Sequence, residues 1–268
     1  MSDWRGLARR LAPLLFILLL AVAILVGPGI GRWHDGVEAD RGTALLDRIA
    51  DLSPGSLVVV AFDPDLVTYA EVRPAARAVL DALDDAGLRV AIVSFSPEGR
   101  AIANAELARR GDIGLDIGFV SGGEAGIVSA VRSLVPPSAI GPVAEAARSD
   151  GGGLDAFALA LVIGGGDIGP RLWAEQVAPR APELPIVAIV PAFMRPELEP
   201  YLASGQLDAL VAGPDGVAAI AGGDAALSRR ADGVLAGMLV AIVALLATGI
   251  WPHLAQRRSA DAEAEEAT

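Results

Sequence analysis

The chain has no cysteine, no lysine, only two histidines and few aromatic residues. Each absence removes a kind of chemistry. Without cysteine there is no disulfide framework and no thiolate ligand for zinc or an iron–sulfur cluster. His34 and His253 alone do not make a multi-histidine metal site within one chain. Without lysine there is no Schiff-base nucleophile and no P-loop lysine. All 21 basic residues are therefore arginine, against 33 acids, and the formal net charge of −12 disfavours nucleic acid as a partner. No cofactor is expected.

What is present is apolar. Of 268 residues, 53% are hydrophobic and 20% charged, whereas a soluble domain is usually ~45–50% apolar and ~25% charged. Aromatics are only 4%, so the excess lies in Ala, Val, Leu, Ile and Gly. This composition excludes a disordered chain and points to a membrane.

Two runs hold the excess. The first spans residues 11–30 and the second 231–251, 20 and 21 residues long. At ~1.5 Å per residue, each suffices for the ~30 Å hydrocarbon core. Trp4 and Trp33 flank the first, and Trp251 closes the second, as interfacial tryptophans do. Arg5, Arg9 and Arg10 before the first run also suit a signal peptide. The apolar stretch, however, continues past Ala21-Val22-Ala23 without small polar residues, which favours an uncleaved anchor.

The outer flanks carry five arginines (Arg5, Arg9, Arg10, Arg257, Arg258) and the inner flanks three (Arg32, Arg229, Arg230). The positive-inside rule then puts both termini in the cytoplasm. The expected organisation is a cytoplasmic N-terminus over 1–10, transmembrane helices over 11–30 and 231–251, and a connecting segment over 31–56. An extracytoplasmic α/β domain over 57–228 and a cytoplasmic acidic tail over 252–268 complete it. Residues 32–228 hold 27 acids and 14 arginines, a net of −13. An anionic membrane surface repels such a domain.

Within that domain apolar runs alternate with helical patterns. Strands are expected over 57–62, 89–95, 115–120, 157–163, 184–190 and 209–211. Helices are expected over 73–86, 97–110, 124–134, 170–178, 196–203 and 217–221. Residues 35–54 read as a connecting helix, and 136–153 as a loop around a short one. Strands apolar on both faces, alternating with helices, mean parallel βαβ units. The fold expected is a three-layer, doubly wound, Rossmann-like sheet of about six parallel strands.

Ligands in such folds bind beyond the carboxyl ends of the strands. Asp63-Pro64-Asp65 follows the first strand and Gly164-Gly165-Gly166-Asp167 the fourth. Gly164-x-Gly166-x-x-Gly169 matches a dinucleotide fingerprint, but the next strand ends in Pro191 with no acid for a ribose. A tight turn with Pro170 opening a helix accounts for it. Ser121-Gly122-Gly123-Glu124 reads as a capping box, and its glycines also permit close approach of a ligand or partner.

Two resemblances follow. VVVAFDPDLVT and LDALDDAGLRVAIVSFS resemble the first two motifs of haloacid dehalogenase-like phosphohydrolases. That resemblance implies Mg²⁺ with Asp63 as nucleophile, Asp65 as acid, and Ser94 and Asp167 completing the set. The family's basic third-motif residue has no counterpart, and Leu66-Val67 stands where Gly and Thr usually follow. Asp-Pro-Asp is also turn chemistry, which would make Asp63 a turn residue.

LDIGFVSGGEAGIVSAV resembles the Gly-Tyr-x-Pro-Gly-Gly-Glu segment of a group of uncharacterised prokaryotic two-span membrane proteins. LALVIGGGDIGPRLWAEQV and YLASGQLDALVAGPDGVA are similar to two further blocks of that group. The chain departs at Phe119-Val120-Ser121. This resemblance implies a two-span design and no activity. The leading expectation is a non-catalytic binding or assembly module, with the bilayer and membrane proteins or further copies of the chain as partners. Its contact residues would be Ser121, Gly122, Gly123, Glu124, Gly165 and Gly166. The alternative is the Mg²⁺-dependent phosphohydrolase.

Overall fold

A computed structural model describes residues 36–110, 114–221, 237–238 and 241–242. The chain divides into two units, 34–224 and the two ends together, 1–33 with 225–268. Of the second unit only the last four described residues are seen. They are helical, with Met238 and Ile242 exposed. The expected termini, the whole of the first expected span and the rest of the second lie outside the described residues. Among the described residues, no helix is long and apolar enough to cross a membrane.

The unit 34–224 holds a sheet of six strands, all parallel. They are β1 (Leu57–Asp63), β2 (Arg89–Ser94), β3 (Leu115–Phe119), β4 (Leu159–Gly164), β5 (Ile186–Val190) and β6 (Ala209–Ala212). Their spatial order is β3-β2-β1-β4-β5-β6. Val59 on β1 stands opposite Ala91 on β2 and Ala160 on β4. Every residue of β1 and β4 is buried, because both faces of the sheet are covered.

Two apolar clusters lie on the two faces. Leu57, Val59 and Ala61 join one, and Val58, Val60 and Phe62 the other, the period-two alternation of a strand. On the second face pack α1 (Gly36–Ala50), α2 (Tyr69–Asp85), α3 (Pro97–Arg110) and α8 (Gly213–Ile220). On the first lie α4 (Glu124–Arg132), α5 (Pro142–Ser149), α6 (Pro170–Leu172) and α7 (Arg195–Ala203). This is the three-layer, Rossmann-like α/β class.

Four elements differ from expectation, among them α8, which starts at Gly213 ahead of the expected 217. The connecting helix is part of the core: Leu45 and Ile49 of α1 are each 1% exposed. Gly42 lets α1 approach α8, since a Cβ there would lie 2.7 Å from the Gly216 carbonyl oxygen. The helix expected over 170–178 is an α-turn that continues as a π-helix, Trp173–Val177. Trp173 is fully buried there, edge-on to Phe95 at 6.1 Å. α2 starts earlier than its apolar period suggests, for a reason that lies in the site.

α3 is tied to α2 by a buried carboxylate. Arg77 donates to Glu106 Oε2 at 2.9 Å and Oε1 at 2.6 Å, and Arg109 donates to Oε2 at 3.0 Å. Burial opposes the charge, but the bonds from Arg77 and Arg109 outweigh it and hold the Glu106 carboxyl down to about 2. The contribution of Glu106 is therefore complete above its ordinary value and lost as pH falls through about 2. This clamp holds the helix whose first turn frames the cleft described next.

Candidate functional site

The strand order reverses between β1 and β4, which opens a crevice at their carboxyl ends. A cleft of about 420 Å³ lies at those ends. Three loops line it: Asp63-Pro64-Asp65 after β1, Ser96-Pro97-Glu98 after β2, and Gly166-Asp167-Ile168 after β4. Four of these nine residues are acidic and none is basic.

Asp63 ends β1 and is 2% exposed. Its Oδ1 accepts three hydrogen bonds: the Phe95 amide at 2.7 Å, the Ser96 amide at 2.8 Å and the Ser96 hydroxyl at 2.9 Å. Its Oδ2 is buried and has no partner. Burial raises the carboxyl to about 6, and the bonds from Ser96 and Phe95 pull only partly the other way. The turn reading of Asp63 is thereby corrected. Its side chain is a buried brace between β1 and the β2–α3 loop, because helix α3 folds over it.

Ser96 does two jobs. Its hydroxyl donates to Asp63 and accepts the Gly99 amide at 3.0 Å. It caps α3 with Pro97 at the first helical position. Gly99 permits the close seat. A Cβ there would lie 2.5 Å from the Phe62 carbonyl oxygen and 2.6 Å from the Asp63 Cα.

Asp65 is a cap for α2. Its Oδ1 accepts the Val67 amide at 2.9 Å and the Thr68 amide at 2.8 Å, and its Oδ2 accepts the Thr68 hydroxyl at 2.6 Å. Burial opposes the charge, yet the bonds from Thr68 and Val67 keep the carboxyl below its ordinary value. The Tyr69 amide already bonds the Asp65 carbonyl at 2.9 Å. This is why α2 begins before Arg73. A side-chain cap of this kind is worth ~1 kcal/mol.

The structure brings together Asp63, Asp65, Gly166 and Asp167 of the residues singled out from sequence. Ser94 does not line the cleft; it is fully buried and its hydroxyl has no partner. The β2–α3 loop supplies Ser96 instead. Gly165 is a packing residue, since a Cβ there would meet the Thr68 hydroxyl at 2.5 Å. Ser121, Gly122, Gly123 and Glu124 do not line the cleft either. Gly123 lies near its wall: a Cβ added there would lie 3.8 Å from Ile168 Cδ1.

The capping box also gives way. Gly122 and Gly123 both have positive φ, at 106° and 56°, so Gly123 becomes the N-cap and α4 starts at Glu124 without a side-chain cap. Glu124 instead accepts Gln176 Nε2 at 2.6 Å. Glu98 was not singled out by sequence. Its signal was Ser-Pro-Glu straight after a strand, a helix start whose second helical residue falls on the strand-end face.

Mg²⁺ fits this donor set poorly. One ion held by Asp63 and Asp65 would need an oxygen of each turned to a common point. Both Asp65 oxygens are turned into the helix cap. Among the described residues, no three His or acidic side chains gather to hold a metal ion. Asp63 borders the cleft with its unpartnered oxygen closed to solvent, and the carboxylates of Glu98 and Asp167 are exposed at its rim.

Compared with protein-family models, curated proteins and solved structures, the chain matches none. The fold class therefore stands on the sheet order and the covered faces, and the site on its own geometry.

Proposed function

We propose that this is a two-span membrane protein whose extracytoplasmic α/β domain is a non-catalytic binding or assembly module, engaged at the cleft between β1 and β4. The observation that carries the reading is Asp63. One carboxylate oxygen is saturated by three donors, while the other is buried beside the cleft without a partner. A buried acceptor left unmatched costs ~1–3 kcal/mol. Such a cost is understandable where an incoming donor completes the set. A hydrolase of this kind asks for a free acid beside its nucleophile, and Asp65 is committed to its helix.

The hydrolase reading keeps one specific support, the three aspartates lining one cleft. Purified full-length protein is expected to show no Mg²⁺-dependent hydrolysis of p-nitrophenyl phosphate. Turnover that disappears in Asp63→Asn would replace the binding module with an enzyme.

Membrane placement rests on the two apolar runs, the arginine distribution, the exposed Met238 and Ile242, and the resemblance to two-span proteins. The chain has no cysteine of its own, so single cysteines report cleanly. Ile140, 87% exposed, supplies the domain position. In whole cells, Ile140→Cys is expected to react with an impermeant maleimide and Ala264→Cys only after lysis. The reverse pattern overturns the topology.

A further inference from the structure

The lining of the cleft carries a statement about its ligand that goes beyond binding as such, although it rests on the binding reading above. We propose that the cleft takes an organic cation, an ammonium or guanidinium group on a slim stem. Its N–H donates to Asp63 Oδ2 at the floor, while Glu98 and Asp167 at the rim balance its charge.

Three observations exclude the alternatives. An ionised carboxylate accepts hydrogen bonds and donates none, so the unpartnered Oδ2 calls for a donor. The cleft is lined by four acids and no basic residue, so a phosphate or carboxylate ligand would meet repulsion on every side. A divalent metal needs several oxygens converging on one point, and among the described residues no such group of three exists. A cationic N–H donor needs only one well-placed oxygen and is then worth more than a neutral one. The walls suit a stem: Pro64, Pro97 and Ile168 supply apolar surface beside the acids. The net charge of −13 over 32–228 would draw cations toward the domain from a distance.

The test titrates the full-length protein in detergent with agmatine, which carries an ammonium at one end and a guanidinium at the other. MgCl₂ and inorganic phosphate are the comparison probes. Calorimetry at pH 7.5 is expected to show saturable binding of agmatine and of neither comparison probe. Asp63→Asn should weaken it ~10–100-fold, the loss of a charge-assisted hydrogen bond. Glu98→Gln and Asp167→Asn should each weaken it only about threefold, as exposed charges do. At pH 5 the wild type should bind ~10-fold more weakly, because Asp63 gains its proton near pH 6.

Agmatine binding unchanged by Asp63→Asn would be surface attraction and would overturn the proposal. Asp63-dependent binding of Mg²⁺ or phosphate instead would overturn the ligand class while leaving a binding cleft in place. Silence of all three probes also overturns the proposal. The binding reading itself falls only if, in addition, the set of proteins co-purifying from detergent is the same for wild type and Asp63→Asn.

Discussion

Asp63→Asn is expected to make the domain more stable at neutral pH, by ~1 kcal/mol, because relief of the buried charge, worth ~3 kcal/mol, is partly offset by a buried amide Nδ2 without an acceptor. Burial raises the Asp63 carboxyl from 3.8 to about 6, and moving a titration by one pH unit is worth ~1.4 kcal/mol. The sign follows from linkage. Between those two values the folded state holds a proton that the unfolded chain has released. Stability is therefore full below 3.8, falls as pH rises through about 6, and stays reduced above it. Asparagine is neutral at every pH, and its side-chain oxygen can still accept the Phe95 and Ser96 donors. Urea unfolding at pH 7.5 and 4.8 measures the effect. The wild type should be stronger at pH 4.8, and Asp63→Asn should be nearly flat. This interval lies above the range in which Glu106 titrates. A wild type that weakens steadily on acidification, with Asp63→Asn no more stable at pH 7.5, would remove the strained carboxylate from the account. A stabilising substitution that also weakens ligand binding is the usual signature of a site kept at a cost in stability.

Gly99→Val is expected to act in the opposite direction, costing ~3 kcal/mol. Its Cβ would fall 2.5 Å from the Phe62 carbonyl oxygen and 2.6 Å from both the Asp63 Cα and the Ser96 hydroxyl. Two of these three atoms belong to the backbone of a central strand, which is held on both sides by β2 and β4. Helix α3 must then retreat, and overpacking of this kind costs ~1–3 kcal/mol or somewhat more. The retreat also pulls Ser96 from Asp63, so ligand binding should fall along with stability. Gly166→Ala is the control. No atom lies within 4 Å of a Cβ there, and the change should stay within ~0.5 kcal/mol. Equal chemical-denaturation midpoints for Gly99→Val and the wild type would mean that α3 does not seat on the end of β1.

Much of the fold was legible because parallel strands buried on both faces leave unbroken apolar runs. Leu57 to Phe62 and Leu159 to Ile163 are such runs, and in the structure all of these residues are buried. The boundaries that failed did so where a side chain, rather than periodicity, sets the start of a helix. Asp65 starts α2 ahead of its apolar stripe. α4 starts at Glu124 as its pattern predicts, but two left-handed glycines take the cap from Ser121 and leave it exposed. The docking of α1 was hidden because close helix packing through Gly42 and Gly216 writes no apolar signal.

The site divides along the same line. That Asp63, Asp65 and Asp167 stand at strand ends is a property of the chain alone, since carboxyl ends of apolar runs can be counted. So is the arginine bias on which the topology proposal rests. Which of those acids is strained was decided only by tertiary structure. Asp63 and Asp65 are two residues apart and chemically identical. One is sealed under α3 with an oxygen unmatched, and the other is satisfied by its own helix start. The difference is made by Ser96 and Gly99, more than thirty residues away in sequence. The sheet brings them to Asp63 because β1 and β2 pair in parallel register. Local pattern records which residues reach a strand end, whereas desolvation depends on what folds over them.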